Sequence, residues 1–146
     1  MNSSPGTRRR RVMRGVAVAG LVVAASACSD SSSDAPATWT VRAADHLGPD
    51  TTSFTALVSR LGCNNGVTGD VHDPEVSVEP GRVVVTFAVD PIETDASCPD
   101  NDDVPYEVVL PEPLGDRSLV DGQCASGADA SHTALCRPDG IRYSPS

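Results

Sequence analysis

Lysine is absent from this chain of 146 residues, and basic charge is scarce along most of it. Five of the 11 arginines lie within the first 14 residues, whereas all 20 acidic residues follow Cys28. Residues 28–146 therefore combine 6 arginines with 20 acids, which gives them a net charge of −14. Phosphate backbones and anionic headgroups repel so acidic a chain. The composition argues against nucleic acid as a partner, and it fits either plain solubility or a cationic partner.

Aromatic residues are also few, since the chain holds one Trp, two Phe and two Tyr. Aromatic side chains bury large apolar areas, so two or three of these five are needed for the core of a small domain. The remainder are too few to form a platform on which sugars stack, which weakens a carbohydrate-binding function.

Sequence patterns that carry catalytic chemistry are missing. There is no Gly-x-Ser-x-Gly nucleophile turn, and the neighbours Ser131 and His132 do not make a catalytic pair by adjacency alone. The cysteines lack a Cys-x-x-Cys pair, which argues against a four-thiolate metal site. We therefore expect a protein that is not an enzyme and that carries no cofactor.

Two segments remain as metal candidates. Asp70 and His72 would lie on one side of an extended chain, as two metal ligands would, although exposed polar alternation gives the same pattern more often. The second segment crowds carboxylates between positions 90 and 103, namely Asp90, Glu93, Asp95, Asp100, Asp102 and Asp103. Because it lacks the Asp-x-Asp-x-Asp-Gly spacing of a calcium loop, we favour a solvated acidic loop and predict no metal site.

The apolar segment at residues 16–27 is too short to cross a bilayer. As a helix it would span roughly 18 Å, against roughly 30 Å for the hydrocarbon core. Five arginines precede it and small residues end it, which is typical of a cleaved export signal. The Arg-Arg pair at positions 9 and 10 resembles a twin-arginine export motif, and export by the Sec or the Tat route stays open.

The residues Ala25, Ser26, Ala27 and Cys28 resemble the lipobox of bacterial lipoprotein signal peptides. The resemblance implies that residues 1–27 are removed, that Cys28 receives acyl chains such as palmitate, and that membrane lipid anchors the protein to the outer face of the cytoplasmic membrane. Five cysteines would leave one thiol unpaired in an oxidising compartment, and lipidation of Cys28 removes the odd one. The alternative is an ordinary secreted protein cleaved after Ala27.

Residues 28–37 are small, polar and rich in serine, so we expect them to form a flexible tether. The folded part then occupies residues 38–146 as one domain of ordinary size.

Apolar alternation predicts that this domain is all-β. Residues 82–89 are largely apolar on both faces, as in a central strand, and a Glu-Pro-Gly turn joins them to residues 75–78 in a hairpin. Further strands are expected at residues 38–43, 53–61, 106–110 and 117–120, of which the second also fits a short helix. Since no segment resembles a long amphipathic helix, we predict a small disulfide-stapled β-sandwich, with the immunoglobulin-like type as a working hypothesis.

Four cysteines follow the predicted anchor, and export favours disulfides between them. They are Cys63, Cys98, Cys124 and Cys136, for which three pairings are open. Cys124 and Cys136 enclose a segment rich in Gly, Ser and Ala that has little to order it except a covalent bond. Cys63 and Cys98 each follow a predicted strand, in loops that could meet at one end of a sandwich.

Several blocks of the folded part resemble, in order, a group of small exported proteins and lipoproteins of high-GC Gram-positive bacteria. The blocks are Leu-Gly-Cys-Asn-Asn-Gly at 61–66, Arg-Val-Val-Val-Thr-Phe at 82–87, Cys-Pro-Asp-Asn at 98–101, Val-Pro-Tyr-Glu-Val at 104–108 and the segment 112–122. The resemblance covers residues 53–122, and the group has no assigned activity. It implies a bridge between Cys63 and Cys98, whereas Cys124 and Cys136 look like an addition.

Two function classes remain open. The first is a membrane-anchored extracytoplasmic lipoprotein that acts as a binding or accessory module of the cell envelope, with an envelope protein or a small ligand as its partner. The second is an exported inhibitor of a protease or hydrolase, which would present the disulfide-pinned loop at residues 98–103. The acidity of that loop suits few proteases, so the first class is favoured.

Overall fold

The computed structural model describes residues 34–43, 45–91 and 96–146. The predicted signal peptide, Cys28 and residues 29–33 of the predicted tether lie outside these ranges. Within the described ranges, no helix is long and apolar enough to cross a membrane.

The described chain is all-β, as the sequence predicts. Its strands are β1 (Ala35–Val41), β2 (Ser53–Arg60), β3 (Glu75–Glu79), β4 (Arg82–Val89), β5 (Val104–Val109), β6 (Ser118–Asp121) and β7 (Ile141–Tyr143). Two 3₁₀ helices, Gly122–Cys124 and Ala134–Cys136, lie between β6 and β7. The expected hairpin is present as β3 and β4, and its turn places Gly81 at a φ of +81°, which glycine adopts without strain.

The strands follow the order β5-β2-β1-β4-β6-β7, with β3 on the other edge of β4. Two strands share one edge of β4, since β1 pairs antiparallel with residues 87–89 and β6 pairs parallel with residues 82–85. Beyond Ala37, β1 leaves β4 and continues alongside β2. The sheet therefore divides into two halves that join at β4, which gives the sandwich-like arrangement; the immunoglobulin-like type stays a prediction.

Side chains from both halves of the sheet form one core. Val83, Val85, Phe87 and Val89 alternate inward along β4, and each is at most 1% exposed. The ring of Trp39 packs against Phe54 at 5.5 Å and against Phe87 at 6.3 Å between centroids. Residues 53–60 form a strand rather than a helix, because alternate residues of β2 contribute to this core while β1 and β5 flank its backbone.

The predicted boundary between tether and domain is wrong by three residues. β1 begins at Ala35, so residues 35–37 belong to the sheet, and the strand ends at Val41 rather than at position 43. Pro36 is tolerated near the strand end, and its carbonyl accepts a hydrogen bond of 2.9 Å from the N–H of Leu61. Ala37 is fully buried, so these residues are small because they are packed, not because they form a linker.

Two features of the sheet were not expected from the sequence. β6 runs parallel to β4, which requires the long connection between them to cross over. β7 has only three residues, and it follows a turn in which Asp139 and Gly140 both have positive φ. A Cβ on Gly140 would lie 2.4 Å from the Cβ of Cys124, so only glycine fits where this turn meets the disulfide.

Candidate binding groove

Both predicted disulfides are present. Cys63 bonds to Cys98, which joins the loop after β2 to the loop before β5, and Cys124 bonds to Cys136, which joins the two 3₁₀ helices. The first bridge closes a sequence separation of 35 residues and the second a separation of 12. We call residues 60–69 with 96–103 the first braced region, and residues 121–142 the second braced region.

A buried arginine organises the first braced region. Arg60 is 6% exposed although it ends β2, and its Nε donates to the carbonyl of Thr68 at 3.0 Å. Its Nη2 donates to the carbonyl of Asp90, while its backbone N–H donates to the hydroxyl of Thr68 at 3.2 Å. The guanidinium charge is thus stabilised by peptide dipoles, and within the described ranges no carboxylate lies at ion-pair distance from it.

Asn101 and Asp102 fix the loop before β5 onto this arginine. The Asn101 amide donates to the carbonyls of Arg60 at 3.1 Å and Gly62 at 2.7 Å. One carboxylate oxygen of Asp102 accepts the backbone N–H of Thr68 at 2.6 Å. The loop is therefore held by specific side chains as well as by the disulfide.

The second braced region is built on a buried ion pair. Asp121 is fully buried, and its carboxylate lies 2.7 Å from the Nη2 of Arg142, whose side chain is 8% exposed. The carboxylate also accepts the backbone N–H groups of Trp39 at 3.2 Å and Gln123 at 3.0 Å. Burial raises the pKa of Asp121, and the hydrogen bond and charge of Arg142 oppose that rise. Arg142 also donates to the carbonyl of Leu135 at 2.8 Å, so this pair holds the segment under the second bridge.

A groove with a volume of about 410 Å³ lies between the two braced regions. Its floor consists of two cross-strand pairs on the outer face of β1 and β2, Thr38 with Ser59 and Thr40 with Leu57. The first braced region contributes the Cys63–Cys98 bridge with Pro99, Asp100 and Asp103, and the second contributes Leu135.

Negative charge dominates the rim of this groove. The carboxylate-bearing residues Asp100 and Asp103 line it and are both exposed. Arg60 is the only basic residue among the described lining residues, and its guanidinium is engaged with the carbonyls of Thr68 and Asp90, neither of which lines the groove. The site therefore combines an apolar and hydroxyl-bearing floor with an acidic rim.

The first metal candidate is arranged differently from the expectation. The imidazole of His72 contacts Asp90 at 2.6 Å through Nε2 and Asp34 at 3.3 Å through Nδ1, rather than sharing a site with Asp70. The hydrogen bond to Asp90 is the main cause of a raised pKa at His72, with Asp34 contributing further. This histidine therefore joins the start of β1 to the end of β4.

The acidic segment between positions 90 and 103 does not act as one cluster in the described residues. Asp90 binds His72, Asp102 binds Thr68, and Asp100 and Asp103 lie at the groove, while Glu93 and Asp95 fall outside the described ranges. Asp90 and Asp102 are exposed, as expected for a solvated acidic loop, and each in addition has a specific partner. Among the described residues, no group of three His, Cys, Asp or Glu side chains is placed to hold a metal ion.

Sequence reasoning missed the groove and both buried arginines. A signal for the buried charges was present, because Arg60 follows Phe54, Ala56 and Val58 in the inward phase of β2. Asp121 likewise follows Leu119 in the inward phase of β6. No comparable signal exists for the groove, since its floor and its two walls come from distant parts of the chain.

A scan of the chain against protein-family models finds no match, and comparisons with curated proteins and with solved structures likewise find none. The resemblance to small exported proteins of high-GC Gram-positive bacteria therefore stays a prediction.

Proposed function

We propose that this protein is a membrane-anchored extracytoplasmic lipoprotein that acts as a binding module of the cell envelope, and that the groove between its braced regions is the binding surface. The observation that carries the proposal is the construction of the groove. The two disulfide-braced regions lie on either side of the outer face of β1 and β2 and enclose a groove of about 410 Å³. Ligand sites in proteins occupy roughly 300–1,000 Å³, so the groove has the size of a binding site.

The anchor part of the proposal rests on the order of arginines, apolar segment, small residues and Cys28. A single acyl chain gives marginal attachment at ~0.8 kcal/mol per buried CH₂, whereas two or three chains anchor a protein stably. β1 begins seven residues after Cys28. At no more than ~3.6 Å per residue, the start of β1 would stay within roughly 25 Å of the anchor, so the domain would meet its partner near the membrane surface.

The anchor is tested by expressing the full chain with Cys28→Ser in a bacterium that processes lipoproteins. We expect the variant to be released to the medium or to remain unprocessed, with Ser31→Ala as a neighbouring control that stays in the membrane fraction. Mature-sized Cys28→Ser protein in the membrane fraction would show that the lipobox interpretation is wrong.

The binding surface is tested by placing a photo-crosslinking residue at Thr40, on the groove floor, or at Ser77, an exposed position of β3 that does not line the groove. In intact cells we expect crosslinked products from position 40 that are missing from position 77. Equal products from both positions would mean that the groove is not the contact surface.

A second candidate function is inhibition of a protease or hydrolase by the loop at residues 98–103. The observation in its favour is that Cys98, Pro99 and Asp100 are exposed while the Asn101 amide holds the loop from beneath. An assay of residual activity against a panel of secreted serine proteases tests it. Leu135→Ala separates the two candidates, because it alters the groove and leaves this loop intact.

A further inference from the structure

We propose that the groove takes a polypeptide segment in which basic side chains flank an apolar one. This inference rests on the proposed binding function and names the chemistry of its ligand. It follows from the floor, from the rim and from the charge of the whole protein.

The floor of the groove is suited to bind an apolar side chain. Leu57 lies in it beside Thr40, its cross-strand partner, and Leu135 lines it from the second braced region. Leu135 is 52% exposed, so its side chain is accessible to a ligand in the groove. Covering Leu57 and Leu135 together with one apolar side chain would remove both from water.

The rim of the groove favours a ligand with positively charged groups. Asp100 and Asp103 lie on one loop, while the carboxylate of Asp102 between them is occupied by the N–H of Thr68. Neither Asp100 nor Asp103 has an ion-pair partner within the part of the chain that the structure describes, so their carboxylates can pair with two cationic groups of one ligand. In an extended peptide successive side chains alternate, so an Arg-Leu-Arg segment turns its leucine toward the floor and both arginines away from it, toward the rim.

The charge of the protein distinguishes this ligand from other occupants. A second copy of residues 28–146 would bring a further −14 charge and no lysine, and an anionic lipid headgroup would meet the acidic rim. The negative charge instead attracts a basic peptide toward the groove, where its arginines would form ion pairs with the carboxylates of the rim.

The test measures the affinity of the full chain, purified in a non-ionic detergent, for synthetic nine-residue peptides that carry Arg-Leu-Arg, Gln-Leu-Gln or Glu-Leu-Glu between serine and alanine flanks. We expect the arginine peptide to bind about tenfold more tightly than the glutamine peptide at low salt, because its arginines form exposed ion pairs with the rim. The advantage should shrink as NaCl is raised, because screening acts on exposed pairs.

Variants locate the effect. Asp100→Asn with Asp103→Asn should remove most of the advantage of the arginine peptide, whereas Asp116→Asn with Asp129→Asn changes the net charge equally at exposed positions outside the groove and should preserve it. Leu135→Ala should weaken the arginine and glutamine peptides alike. Asp102 is left unchanged in each variant because it holds the loop.

Equal affinity for the three peptides, or an equal loss in both double variants, would overturn the inference. Binding of 1,4-diaminobutane as tightly as the arginine peptide would overturn the requirement for a polypeptide. These outcomes would leave the proposed function standing, because crosslinking at position 40 in cells tests whether the groove is a contact surface for any ligand.

Discussion

Each of the two braced regions has one disulfide and one buried arginine, but the two arginines bind different kinds of partner. Arg60 in the first region donates to peptide carbonyls, whereas Arg142 in the second pairs with the fully buried carboxylate of Asp121. The first region adjoins the ends of β2 and β5, while the second, between its ends in β6 and β7, consists of turns and two 3₁₀ helices.

The two regions depend on their arginines to different degrees. A carbonyl that loses its donor leaves one polar group unsatisfied, which costs less than leaving a buried charge without its partner. The second region also has no strand within residues 122–140 to order it, so it relies on the bridge, on Asp121 and on Arg142 together. It should therefore be the more fragile of the two toward loss of its arginine.

Arg142→Met is expected to have the largest effect, with a loss of about 3–5 kcal/mol in the free energy of unfolding at neutral pH. The reason is that the buried Asp121 carboxylate loses its positively charged partner. Since Arg142 lowers the pKa of Asp121, its loss raises that pKa further. The native state then binds the proton more tightly, so the loss should shrink as the pH falls. Urea unfolding at pH 7 and pH 4.5 measures both values.

The double variant Arg142→Met with Asp121→Asn serves as the control for that experiment. It removes the buried charge as well, so it should recover part of the stability at pH 7 and lose the pH dependence. A loss that is the same at both pH values in the single variant would show that packing, not the stranded charge, is responsible.

Removal of each disulfide should rank next. The loop-closure model gives about 4 kcal/mol for Cys63→Ser with Cys98→Ser and about 3 kcal/mol for Cys124→Ser with Cys136→Ser. Thermal unfolding compares the totals, and hydrogen exchange compares where the chain opens. We expect local opening of residues 125–135 only in the second variant, and equal protection there in both variants would contradict the view that this region depends on its bridge.

Arg60→Met should lower the free energy of unfolding by about 1–3 kcal/mol. It removes the donor that the carbonyls of Thr68 and Asp90 share, but it leaves no buried carboxylate without its partner. The matched control is Arg82→Met, whose side chain is 55% exposed and pairs with Glu79 at the surface, so it should change stability very little. Unfolding in urea tests the order of the two buried arginines. If Arg60→Met costs more than Arg142→Met, the comparison between dipoles and ion pairs fails.

The smallest effect is expected at His72, whose partly exposed imidazole contacts the exposed carboxylate of Asp90. The hydrogen bond to Asp90 raises the pKa of His72, so the fold favours its charged form. This stabilisation is fully present below about pH 6.5, the ordinary value, and is lost as the pH rises through the raised pKa. His72→Gln should therefore lower the melting temperature slightly at pH 5.5 and not at pH 9. A decrease of the same size at pH 9 would rule out a role for the charge.

The sequence predicted the parts of the fold that follow from local alternation. Val83, Val85, Phe87 and Val89 identified the central strand, and Pro80 with Gly81 identified its hairpin. The two bridges were also predicted, one from the composition around Cys124 and the other supported by a resemblance. Each of these depends on neighbours in the chain or on a recurrent pattern.

Long-range features were not predicted, because no local pattern encodes them. The parallel pairing of β6 with β4 depends on a crossover of the chain, and β7 is too short to show an alternation. The strand at Ala35 looked like a linker because its burial comes from partners some 25 to 50 positions away. The candidate groove needs Leu135 beside Asp100 and Thr40, and only the folded chain brings these together.

β1 has a mechanical consequence for a protein tethered through Cys28. Tension from the membrane would enter the fold at Ala35, in a strand bonded to β4 at its start and to β2 along most of its length. Pulling it out along its own axis would load several interstrand hydrogen bonds at once, in shear. Thr38 and Thr40 of the same strand form part of the groove floor, so part of a force between anchor and partner would pass directly through this one central strand.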